Sequence, residues 1–221
     1  MIGVIVWKEL RETIRDKSLL SSLLSVLMFI VLLSVTSVNK LGIDVEVLVF
    51  YMAPCIGVMV GFSLSSRFVK EKLEGVVETL LCTPLSLRSL WLGKVIGLTI
   101  PSYTITIASM IVIIVLNRYV LSGIIIIYLF MVVPVVIAAA IGLLGFLYYV
   151  LGMRQVQALN YVVFFTLFTV LFIAIRRLAA TSSVMSWGTI MTMLAMSSIV
   201  LGIITYLVTY LNKERIVTTI S

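Results

Sequence analysis

The chain has 221 residues, of which 62% are hydrophobic and only 11% charged, and its mean hydropathy is +1.26. A soluble domain carries about 25% charged residues, and no compact soluble fold of this length could bury so much apolar surface, so the composition implies an integral membrane protein. The net charge of +7 does not indicate a nucleic-acid partner, because excess Lys and Arg in a polytopic chain marks its cytoplasmic loops.

Residues 2–17, IGVIVWKELRETIRDK, read as an amphipathic helix. At 100° per residue Trp7, Leu10 and Ile14 share one face, while Lys8, Glu9, Glu12, Arg15 and Asp16 take the other. Such a helix is expected to lie in the membrane interface against the lipids, with Trp7 at headgroup depth. The alternative is a simple extension of the first span into water. Its apolar start is short and charges crowd the stretch from Lys8 to Lys17, so no cleavable signal is expected.

Charge-free runs follow at 18–39, 47–66, 95–117, 119–153, 155–175 and 178–212. About 20 apolar residues cross the hydrocarbon core, so each run provides one crossing, six in all. Pro134 within 119–153 predicts a long, kinked or tilted helix. The polar stretch 181–189 predicts a short interfacial or re-entrant piece before a last span at about 190–211. With the N-terminus inside, twelve of the sixteen Lys and Arg fall on the inner side. Both termini, including the tail 213–221, are therefore expected in the cytoplasm of a cell-membrane protein.

The runs contain no Asp, Glu, Lys, Arg or His, and histidine is absent from the whole chain. Ion-coupled carriers usually keep ionisable groups inside the membrane, and an intramembrane enzyme needs an acid–base or nucleophile set that is missing here. No catalytic residue, metal site or cofactor of the chain's own is expected. Cys55 and Cys82 fit no metal spacing and are expected to be packing residues. Hydroxyls do recur in the runs. Thr99, Ser102, Thr106, Asn160 and Thr166 are candidates for a translocation wall, the alternative being ordinary helix–helix packing. The pairs Gly57–Gly61 and Gly142–Gly145 predict close helix contacts.

The largest polar outcrop is Arg67 to Lys94, which holds Glu71, Glu74 and Glu78 with five basic residues. Its apolar residues Val69, Leu73, Val76, Val77, Leu80 and Leu81 recur at helical spacing. The second span is thus expected to continue as an amphipathic helix until Thr83-Pro84 stops it. A chain re-entering the membrane after Arg88 follows. The apolar stripe of that helix calls for a partner surface; the alternative is a solvated hairpin.

The residues FVKEK (68–72), Gly75, Glu78, Leu80-Leu81, Thr83-Pro84-Leu85-Ser86 and Gly93-Lys94 resemble the signature of ABC-2-type exporter permeases, written roughly F-x-x-E-K-E-x-G-T-x-E-x-L-L-x-T-P-x-S. Lys8-Glu9 and Arg15-Asp16 are similar to the K-E and R-D pattern on that family's in-plane connecting helix. Leu73 stands where the family often has an acid, and Val76 where it often has Thr. The resemblance implies an all-α fold of six transmembrane helices. In it 1–17 is the interfacial helix, 18–212 the transmembrane domain and 67–88 a cytoplasmic coupling segment between spans 2 and 3. It implies that Glu71, Lys72, Glu74, Gly75 and Glu78 contact a separate ATP-binding subunit, which carries ATP and Mg. It further implies a dimer with a second permease chain, identical or similar, forming the translocation pathway. The absence of GxxxxGK means that this chain is not expected to hydrolyse ATP. Two other readings stay open: a membrane scaffold or assembly subunit without transport, and an ion-coupled carrier.

Overall fold

The computed structural model describes residues 2–15, 45–73, 86–151 and 187–210, with isolated positions at 28, 155, 158, 162, 163, 165, 166 and 169. Among them there is no strand. The elements are α1 (Ile2–Arg15), α2 (Val45–Leu73), α3 (Leu87–Leu116), α4 (Gly123–Ile127), a π-helical turn (Tyr128–Val132), α5 (Val133–Val150) and α6 (Trp187–Thr209).

Four stretches are long and apolar enough to cross a membrane: Val45–Glu71, Leu87–Leu116, Gly123–Val150 and Trp187–Thr209. The two further runs expected as spans, 18–39 and 155–175, lie outside the described residues apart from isolated positions, as does the tail 213–221. The last described helix, Trp187–Thr209, takes in 187–189, and the rest of the polar stretch 181–189 lies outside the described residues.

Local chemistry explains the boundaries. Ser86 sits in extended backbone before α3 and its hydroxyl accepts the Ser89 N–H, satisfying one of the open donors of the first turn. The helix therefore begins three residues after Pro84, at Leu87, and Arg88 is already inside it. At the other end Asn117 Nδ2 donates to Ile113 O at 2.8 Å, and Arg118 turns the chain with a φ of 49° before α4 starts. The continuation of the second span past its apolar part is borne out as far as Leu73, since α2 runs unbroken through Arg67, Lys70 and Glu71.

The core is built from one stripe of each helix. Leu48, Met52, Ile56, Val60, Leu64 and Phe68 of α2 recur every four residues and are buried, the spacing that keeps one helix face inward. They meet Trp91, Val95 and Leu98 of α3 and Ile137, Ile141 and Leu144 of α5. The predicted glycine contacts are present. Gly57 and Gly61 leave room for Ile137 and Ile141, while Gly142 lies under the Trp91 ring and Gly145 under the Phe68 ring. Without side chains at these points the helix axes approach closely enough for ridge-in-groove packing. The helix α6 buries only Ile190, Ile204 and Val208 and leaves Met191, Met196, Ile199, Ile203 and Tyr206 exposed.

Candidate functional site

The end of the bundle where α1, the last turns of α2 and the first turns of α3 meet holds a group of buried charges. Glu9 and Lys94 are each 3% exposed and Thr13 is fully buried. Lys94 Nζ pairs with a carboxylate oxygen of Glu71 and lies 3.8 Å from Glu9 Oε1. Arg67 Nη1 lies 4.0 Å from Glu9 Oε2 and donates to Thr13 Oγ1 at 2.8 Å. Thr13 in turn donates to Glu9 O at 2.7 Å. Glu9 therefore faces two bases, and Lys94 faces two acids.

Each partner is placed by its helix. Glu9 and Thr13 are four apart on α1, and Arg67 and Glu71 four apart on α2, so each pair points from one face. Lys94 is held one turn beyond Trp91, whose ring is fixed over Gly142. Beneath the charges, the Phe68 ring lies 5.5 Å from Lys94 Nζ and meets Tyr149 edge-on at 5.7 Å. A cation over an aromatic face gains further electrostatic attraction in so dry a setting. Trp91 Nε1 and Tyr149 Oη are buried with no hydrogen-bond partner among the described residues.

The crossing of α1 over α3 depends on two glycines. A Cβ on Gly93 would lie 2.8 Å from Ile5 Cγ2, and one on Gly97 would lie 2.6 Å from Glu9 Cβ. Only bare backbone lets α1 descend far enough for Glu9 to reach both Lys94 and Arg67. Lys8 and Glu12 pair at 3.7 Å on the outer side of the helix, half exposed, where such pairs contribute little.

This geometry corrects the sequence reading of α1. Glu9 does not belong to the water-facing side with Lys8, Glu12 and Arg15; it is the centre of the face packed on α3. Trp7 and Ile14, at 69% and 70% exposed, point away from the protein, while Leu10 is half-buried. A second correction concerns Lys94, which the sequence places in a polar outcrop. It is buried inside α3, within a stretch apolar enough to span. The i, i+4 spacing of the partners and the Gly93–Gly97 repeat were visible signals for this group.

Of the residues expected at an ATP-binding partner, Glu71 is turned inward onto Lys94. Lys72 lies in the last turn of α2, and Glu74, Gly75 and Glu78 are outside the described residues. Each described hydroxyl expected to line a pathway bonds a carbonyl of its own helix. Ser102 and Thr106 are buried against Gly61 and Gly57 of α2 and donate to Leu98 O and Ser102 O of their own helix. Thr99 is half-buried and bonds Val95 O, and Thr166 is exposed and bonds Val162 O. Asn160 is outside the described residues.

The carboxylates of Glu9, Glu12 and Glu71 can bring one oxygen each within 4.8 Å of the others. The Lys94 ammonium already occupies the inner side of that group and Arg67 flanks it, so Glu9 and Glu71 are neutralised by two bases. A divalent ion there would have to displace Lys94 from both acids. The arrangement is suited to holding three helices together, since removing any one charge strands another in a low-dielectric interior. No protein-family model, curated protein or solved structure matches this chain.

Proposed function

We propose that the chain is the permease subunit of an ATP-driven exporter of the ABC-2 type, working as a dimer with a second permease chain and powered by separate ATP-binding subunits. The observation that carries this reading is the buried charge group, which joins α1 and the start of α3 to the helix that leads directly into the 74–85 segment. In this reading Lys72, Glu74, Gly75 and Glu78 meet the ATP-binding subunit, while Glu71 belongs to the link behind the contact. Both termini and the 67–88 segment face the cytoplasm of a cell-membrane protein, and ATP and Mg stay on the partner. A displacement of the segment after Leu73 is then passed to α1 and α3 together, because leaving either behind would expose unpaired charge to the interior.

The cargo in this reading is amphipathic or apolar. A groove of about 290 Å³ between α2, α5 and α6 is lined by Val58, Val136, Leu143, Met196 and Val200, which suits an acyl or other hydrocarbon group. A small hydrophilic ion as the transported species would rule this cargo class out.

The deciding experiment is affinity capture from native membranes, comparing wild type with a Glu74→Lys, Glu78→Lys double variant. The exporter reading expects the wild type to bring down an ATP-binding subunit and the inserted double variant to lose it. A stable, inserted wild type that captures no ATPase would leave the scaffold or carrier readings.

The ion-coupled carrier is favoured by one observation, namely that Glu9 and Lys94 are ionisable and buried, as groups that bind a coupling ion often are. They lie at one end of the bundle and already neutralise each other, which fits a structural link better. Transport by reconstituted chain alone under an ion gradient, without ATP, would decide for the carrier.

A further inference from the structure

Three prolines lie inside the described helices: Pro54 in α2, Pro101 in α3 and Pro134 at the start of α5. A proline has no N–H, so the carbonyl one turn earlier loses its donor. In a hydrocarbon setting no water replaces that donor, and a bare carbonyl is unfavourable.

For Pro54 the freed carbonyl is Phe50 O. The hydroxyl of Tyr128 donates to it at 3.0 Å, from a side chain that is wholly buried and stacked on the Phe50 ring at 4.5 Å. For Pro134 the ladder has slipped into π register, and the Val133 N–H bonds Tyr128 O, five residues back. The next acceptor in that register is Leu129 O, whose donor would be the nitrogen of Pro134, which has no hydrogen to give. The hydroxyl of Tyr103, from α3, donates to Leu129 O at 3.2 Å. Each open carbonyl is therefore completed by a tyrosine from a neighbouring helix. Pro101 frees Gly97 O in the half of α3 near the charged end, and no tyrosine is bonded to that carbonyl among the described residues.

We infer that the π-helical turn Tyr128–Val132 is a hinged block seated by these two tyrosine–carbonyl bonds, one given to α2 and one received from α3. Within a regular helix the ladder itself would hold each carbonyl, and a neighbouring helix could slide without unpairing it. Here the pairing is made between helices, so moving the block off its seat opens both carbonyls at once. Two arrangements result: the block seated and dry, or displaced with water at Phe50 O and Leu129 O. π-turns inside helices are often found where a helix has a working joint. The inference stands apart from the exporter reading and needs no ATP-binding partner.

Hydrogen exchange on the purified full chain in lipid nanodiscs tests it. Tyr128→Phe and Tyr103→Phe should each speed exchange over residues 126–133 about tenfold, the usual effect of one buried unpaired group, with 140–150 unchanged. Pro54→Ala restores a donor to Phe50 O, so in that background Tyr128→Phe should change exchange by less than about twofold. Pro134→Ala should do the same for Tyr103→Phe, and Pro101→Ala should rescue neither. If Tyr128→Phe fails to fold alone, adding Pro54→Ala should recover it, and failure to do so overturns the inference. Equal effects in proline and alanine backgrounds, or faster exchange spread evenly from 87 to 150, would also overturn it.

Discussion

Replacing Lys94 with methionine is expected to destabilise the protein by about 3–5 kcal/mol, the loss that follows when one member of a buried ion group is removed. The lysine is 3% exposed and faces both Glu71 and Glu9. Methionine keeps the length of the side chain and its packing on Phe68, so the change isolates charge from shape. The buried Glu9 and the largely buried Glu71 would then be left with Arg67 as the remaining base of the group. The double variant Lys94→Met, Glu71→Gln should recover most of the loss, since it leaves Glu9 paired with Arg67 and no acid uncompensated. Reversible unfolding in mixed micelles measures both. A single variant as stable as wild type would mean that Glu9 and Glu71 find other partners, and that the group does not bind the three helices.

The second large effect is expected at Gly97, where α1 crosses α3. A Cβ there would lie 2.6 Å from Glu9 Cβ and 3.6 Å from Val6 O, and neither neighbour is the free end of a flexible side chain. Gly97→Leu should lift α1 from its seat, with the roughly 1–3 kcal/mol of an overpacked contact lowering the docking equilibrium constant about fivefold to 150-fold. Docking can be read from the accessibility of a thiol at Thr13, which is fully buried in the docked helix. With Cys55→Ala and Cys82→Ala in the background, a Thr13→Cys variant should resist a water-soluble thiol reagent. It should react readily once Gly97→Leu is added. Unchanged protection would show that α1 tolerates a side chain at the crossing. Loss of protection with retained insertion would show that α1 is held by this contact and not by the lipids alone.

The two effects are linked, because Glu9 reaches Lys94 only where Gly97 lets it approach. Weakening the crossing should therefore also weaken the ion group. A Gly97→Leu, Lys94→Met double variant is expected to lose less than the sum of the two single losses, as neighbouring sites do.

Much of this was legible along the chain because it depends on local rules. Four of the apolar runs, the 3.6-residue stripe of α2, the irregularity at Pro134 and the small-residue contacts at Gly57–Gly61 and Gly142–Gly145 follow from length, propensity and the missing N–H or Cβ of single residues. Those features need no knowledge of what lies opposite. The fate of Glu9, Lys94, Tyr103 and Tyr128 does need it. A helical wheel assigns a charge to water by default, and Glu9 escapes water only because Arg67 and Lys94 arrive from two other helices. Arg67 and Thr13 are 54 residues apart in the chain, and Tyr128 and Phe50 are 78 apart. Composition and periodicity set which helices form and that they belong in a membrane. Which buried polar group meets which was decided by the packing of distant helices, since a charge or an open carbonyl is stable in a dry interior only where its complement is brought to it.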